Sequence, residues 1–226
     1  MSLSPDVEAL LTKVCGAAAG RNVVFDADGT LWRGDVGEDF LRFAFHRRLF
    51  PGEYADYERH LARSASHAYG WAVEIMRGLD EATLQRTCDE FFEQRFKGRV
   101  FGFVRPVLAR LRAAGATVWI CSASPRWAVL PGARALGIAP EHVIGVSCAV
   151  TEGALTGQLD APVPVGPGKV TWLERRAVKP LLAVGNGDFD LDMLAAAELA
   201  LVIAPPDSDN QLVAEARARR WPILRA

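Results

Sequence analysis

The apolar positions of this chain change period along its length. Asn22 to Phe25, Thr117 to Cys121, Val143 to Val150, Pro180 to Val184 and Leu199 to Ile203 are short, mainly apolar runs, the pattern of strands buried on both faces. Helical stretches lie between them. Ser4-Pro5-Asp6 offers a capping hydroxyl, a proline for the first turn and acids near the positive end of the dipole. A helix is expected from there to about Ala19, stopped by Gly20. Further helices are expected over Pro106 to Ala114, from Pro125 to about Leu136, from Lys169 to Arg176, and over Ser208 to Arg220. Strand followed by helix with short connections is the pattern of a parallel sheet covered by helices, so the fold class is α/β.

One block departs from this alternation. From about Glu38 to Lys97, Phe40, Leu41, Ala44 and Phe45, and later Leu84, Cys88, Phe91 and Phe92, recur at helical spacing with no strand-like alternation. Pro51-Gly52 and Gly78 to Asp80 divide the block into about four helices. Further on, Glu152-Gly153 and Gly157 mark a small hairpin with Leu155 and Leu159 on one face.

Composition narrows the class without naming a function. The chain has 226 residues, half of them hydrophobic, and 26 basic against 27 acidic residues give a net charge of −1. Such a balance offers no field for nucleic acid or a membrane surface. Cys15, Cys88, Cys121 and Cys148 are widely spaced and three sit in apolar runs, which suits free thiols in a reducing compartment. Asp6 and Glu8 precede Ala17-Ala18-Ala19, and no basic segment leads a long apolar core there. The reading is a soluble cytoplasmic protein.

The candidate chemistry lies at strand ends. The first strand runs into Asp26-Ala27-Asp28-Gly29-Thr30-Leu31, the next ends at Ser122, and a later one runs into Gly185-Asn186-Gly187-Asp188-Phe189-Asp190-Leu191-Asp192. On a parallel sheet these ends share one edge, where ligands collect. Carboxylates gathered with a hydroxyl and the ammonium of Lys169 suit a hard divalent cation beside a phosphate. Two other motifs fail on spacing. Gly166-Pro167-Gly168-Lys169 has Val163 and Val170 where a nucleotide P-loop needs Gly and Ser or Thr. Ser122 lacks the flanking glycines of a hydrolase nucleophile elbow. His46, His60, His67 and His142 show no ligand-like spacing.

The Asp26 to Leu31 stretch, the strand ending in Ser122, the lone Lys169 and the acidic glycine-rich stretch ahead of Met193-Leu194 resemble the four motifs of the haloacid dehalogenase superfamily, in order and over nearly the whole chain. The helical block resembles a C1-type cap. Thr151 to Gly157 and on through Gly168-Lys169 is similar to the phosphoserine phosphatase-like branch, which includes phosphorylcholine phosphatases. The resemblance implies a Rossmann-like three-layer core of residues 1–36 and 99–226, a helical cap of residues 37–98, and a small β-hairpin flap.

It also implies roles. Asp26 would be the nucleophile that forms an aspartyl-phosphate, and Asp28 the acid and base. Thr30, Ser122, the Ala123 amide and Lys169 would hold phosphoryl oxygens. Mg2+ would sit on Asp26, the Asp28 carbonyl, Asn186 and Asp190. Asn186 departs from the family, whose paired acids stand four apart; a shifted register, Asp188 with Asp192, would restore two carboxylates. Asp35, with Glu38 a turn beyond, would face a substrate amine, and Trp32 could lend an aromatic face to a cation. The expected activity is magnesium-dependent hydrolysis of a small phosphomonoester, with an amine-bearing substrate such as phosphoserine or phosphorylcholine in view. A phosphotransferase and a catalytically weak phosphometabolite-binding protein are the alternatives.

Overall fold

The computed structural model describes residues 3–226. Its contacts divide the chain into two compact units, the first made of the residues up to Arg33, Val100–Cys121 and Gly166–Ala226, the second of Gly34–Arg99 and Ser122–Val165.

In the first unit, β1 (Asn22–Phe25) lies between β2 (Thr117–Pro125) and β6 (Pro180–Gly185), with β7 (Leu199–Ala204) and β8 (Ile223–Arg225) following on the β6 side. All four pairings are parallel. Every residue of β6 is buried, which is why these strands read as continuous apolar runs rather than alternations. With β3 (Val143–Val146) the sheet has six strands, in the order β3-β2-β1-β6-β7-β8. The helices of this unit are α1 (Pro5–Ala17), α6 (Val104–Ala113), α8 (Pro167–Arg175), α9 (Leu191–Ala196) and α10 (Gln211–Arg219). Val7, Leu10, Leu11 and Val14 form the buried stripe of α1.

The second unit holds α2 (Val36–His46), α3 (Tyr54–Leu61), α4 (Ala65–Glu74), α5 (Glu81–Phe91), α7 (Arg126–Ala135), β3, and an antiparallel hairpin of β4 (Cys148–Thr151) and β5 (Ala154–Leu159). A π-helical turn, Phe92–Phe96, continues α5. The aromatic rings of this segment form its core: Phe40 meets Phe91 edge-on at 5.6 Å and Phe91 lies 5.9 Å from Phe96. Among the described residues no helix is long and apolar enough to cross a membrane.

Several elements begin or end away from where the sequence predicts. Val143 to Val150 is two strands, not one: Ser147 breaks the run, its hydroxyl donating to Asp160 Oδ2 at 2.7 Å, and the chain leaves the large sheet for the hairpin. α6 starts at Val104, so Pro106 sits inside its first turn, where a proline leaves no bond unmade. α10 starts after Asn210, whose side chain accepts from Val213 N. The three-residue β8 has too few positions to show a period in the sequence.

Candidate active site

β1 stays in the ladder one residue beyond its last strand position, since Asp26 N donates to Val184 O at 2.8 Å. The chain then turns tightly: Thr30 N and Leu31 N both donate to Ala27 O, and Gly29 N to Trp32 O. Gly29 carries φ +71°, and a Cβ there would fall 2.1 Å from the end of the Asn186 side-chain amide. Only glycine suits this position. β6 delivers the second loop, and Gly185 is needed for a related reason, because a Cβ would fall 2.6 Å from that of Asp190.

Lys169, in the first turn of α8, is 1% exposed and joins the two loops. Its ammonium donates to Asp26 Oδ1 at 2.7 Å and to Asp190 Oδ1 at 2.5 Å. Burial alone would draw the ammonium down; the Asp190 and Asp26 carboxylates outweigh it and hold Lys169 above its ordinary value. Asp26 is pushed up to about 7, first by burial and then by the Asp190 charge, with Lys169 opposing. Two carboxylates share one ammonium, so the cluster carries an excess negative charge that a cation would relieve. Cys121, the β2 residue beside this cluster, is pushed up to about 12 by burial and stays an inert thiol.

The remaining oxygen of Asp26 faces Asn186. With its amide nitrogen turned inward, Asn186 donates to the Asp28 carbonyl oxygen at 2.8 Å, to Thr30 Oγ1 at 3.0 Å and to Asp26 Oδ2 at 3.2 Å. A donor group thus stands among the oxygens where the sequence expects a cation. Among the described residues no three His, Cys, Asp or Glu side chains gather as a metal site. A carboxylate, a main-chain carbonyl and an amide oxygen are nonetheless hard oxygen donors, and this set fits magnesium once the Asn186 amide turns over. Asp190 has other duties. Beyond Lys169 it accepts from the backbone N–H of Asn186 at 2.9 Å and of Gly187 at 3.1 Å, fixing the loop.

Asp188 and Asp192, the alternative register, are both exposed. Asp188 instead accepts from Leu212 N at 3.1 Å. Ser122 continues β2 beyond Cys121 and is buried, its hydroxyl accepting from Ser124 N at 3.1 Å. Trp32 is fully buried, and its indole N–H donates to Asp28 Oδ1 at 2.7 Å. The sequence offered Trp32 as an aromatic face and gave no sign of this bond, which depends on the turn at Gly29.

In the second unit Asp35 and Glu38 line one small pocket with Tyr57, Tyr69, Ala123 and Ser124. Asp35 Oδ1 caps α2, accepting from Glu38 N at 2.8 Å, and burial pushes its carboxyl up to about 6. Glu38 accepts from the Tyr54 hydroxyl at 2.9 Å. His60 and His67, unpaired in the sequence reading, bring their Nδ1 atoms to 3.0 Å across α3 and α4.

The family model for haloacid dehalogenase-like hydrolases matches residues 23–195. The chain belongs to that family. As a haloacid dehalogenase-like protein it is a hydrolase, and two curated relatives are themselves named as phosphatases. A probable phosphatase of Mycobacterium tuberculosis is 29% identical over 206 residues, covering 88% of this chain and 67% of that protein. A phosphoserine phosphatase of the same organism is 24% identical over 216 residues, covering 88% and 68%. A crystal structure of a Bordetella pertussis Tohama I protein of unknown function shares the haloacid dehalogenase-like fold with a TM-score of 0.74 at 21% identity, over 91% of this chain and 98% of that one.

Proposed function

We propose that this hydrolase cleaves a small phosphomonoester through an aspartyl-phosphate on Asp26, with magnesium as cofactor, in the cytoplasm. The observation that carries the reading is the clamp of Lys169 between Asp26 and Asp190, with the second oxygen of Asp26 and the Asp28 carbonyl meeting at Asn186. Asp26 attacks phosphorus, and the P–O bond to the alcohol breaks as the new one forms. Asp28 hands a proton to the departing oxygen and later takes one from the water that cleaves the acyl-phosphate. The Trp32 indole N–H donates to Asp28 Oδ1 and orients that carboxyl. Lys169 and Thr30 stabilise the phosphoryl charge, as do Ser122 and the Ala123 amide, which follow Cys121 on β2. Magnesium on Asp26, the Asp28 carbonyl and the Asn186 amide oxygen would offset the repulsion between carboxylate and phosphate; Asp190 steadies the loop that carries Asn186.

The substrate in this reading bears an amine. Asp35 and Glu38 supply two carboxylates to one pocket with tyrosines on its walls, a setting suited to an ammonium. The test is phosphate release from a panel of phosphomonoesters, with and without magnesium, by the native chain and by Asp26→Asn. Magnesium-dependent release that is strongest for phosphorylated amino alcohols or amino acids, and absent from the variant, is expected. Release by Asp26→Asn at the native rate would overturn the mechanism; preference for neutral sugar phosphates would overturn the substrate class.

A further inference from the structure

A cavity of about 250 Å3 opens in the second unit between α2, the end of α5 and the π-helical turn. Its floor is the buried rings of Phe43 and Phe91, and its walls carry Arg42, Arg95 and Arg99 with one carboxylate, Asp39. Three guanidinium groups against one acid leave the lining two charges positive. Asp39 is engaged by Arg99 at 2.6 Å and more loosely by Arg42 at 3.5 Å. Arg95 has no carboxylate partner among the described residues and only approaches the Phe43 ring, at 5.8 Å. The helix is locally π-helical where it presents Arg95, an irregularity that recurs at functional sites. Planar guanidinium forks match carboxylate and phosphate oxygens, and an apolar floor matches a ring or aliphatic body.

We propose that this pocket binds a small organic dianion with a flat or apolar body, and that its occupancy is read by the substrate pocket through Arg42. Arg42 is the link because its other guanidinium nitrogen lies 3.3 Å from Glu38, which lines the pocket with Asp35. An anion that draws Arg42 toward itself leaves Glu38 less compensated, and Glu38 then attracts a cationic substrate more strongly. The pocket's own binding is independent of the phosphatase reading; the coupling rests on it. Binding coupled in this way is reciprocal, so a cationic substrate also tightens the dianion.

The probe is phthalate, a ring with two carboxylates and no phosphoryl group to compete at Asp26. It is titrated into the full chain while the backbone amide signals of Phe43 and Arg95 are followed by NMR. Saturable shifts are expected, with Arg95→Ala raising Kd about tenfold and Arg63→Ala, an exposed arginine outside the pocket, leaving it unchanged. Phthalate should also lower KM for a phosphorylated amino alcohol relative to a neutral aryl phosphate, an effect lost in Arg95→Ala while activity without phthalate is kept. Shifts that never saturate, or equal weakening by both arginine variants, would overturn the site. Saturable binding with no change in the KM ratio would overturn the coupling, and a chain that binds phthalate but releases no phosphate would count against the catalytic reading alone.

Discussion

Asp26 is the residue whose setting has the most measurable consequence. An unfolded chain gives up this proton near a pKa of about 3.9, whereas the metal-free folded chain keeps it up to about 7. Between those values only the folded state holds the proton, so stability falls as pH rises through the window and levels off above it. Denaturant melts of metal-free protein should show a lower midpoint at about pH 8 than at about pH 5, and Asp26→Asn should shrink that difference. Asp35, pushed up to about 6, acts in the same direction over a narrower range, so some slope should remain. Trp32→Phe removes a single indole donor from Asp28 while keeping an aromatic ring. It should lower kcat for alkyl esters about tenfold with KM little changed, and spare aryl esters whose leaving groups need no proton. Equal losses on both ester types would show that Trp32 only packs. At Asn186 the amide stands 3.2 Å from Asp26 Oδ2, and a carboxylate in its place would put two like charges there. Asn186→Asp should therefore destabilise the metal-free protein and enlarge the rise in Tm that magnesium produces; an unchanged rise would argue that Asn186 is no ligand.

At the scale of elements, α2 combines structural and chemical duties. Asp35 begins it as a cap, Glu38 follows a turn later in the same small pocket, and Asp39 and Arg42 face the arginine-lined cavity. Asp35→Asn keeps the capping oxygen and removes a charge that burial disfavours, so at about pH 8 it should hold or raise Tm, and it should raise KM for an aminated ester well above its effect on an aryl phosphate. Asp35→Ala should instead cost about 1 kcal/mol of stability through the lost cap. Most elements of the sheet were legible because strands buried on both faces are written as unbroken apolar runs. The break at Ser147 was not, since a strand that leaves one sheet for another keeps the same residue types on both sides. β8 was hidden by its length.

Across the whole molecule the chemistry was more legible than the geometry. Carboxylates at the ends of apolar runs mark a cluster, and Asp26, Thr30, Lys169, Asn186 and Asp190 do gather at one place in the first unit. Their division of labour depends on distances no spacing rule supplies: Asp190 is committed to Lys169 and two amides, Trp32 reaches Asp28 across a turn, and His60 finds His67 on another helix.

The hairpin is stitched to the helical block by its main chain. Gly78 N donates to Leu155 O, Leu155 N to Leu79 O, and Glu81 N to Gly153 O, while a Cβ on Gly70 would strike Leu159 at 2.8 Å. Residues 34–99 and 122–165 are therefore one co-adapted body fed by two separate stretches of chain. Grafting the helical block alone into a related enzyme would strand its hydrogen-bonding partners in the donor. A functional chimera has to carry both stretches as one cassette.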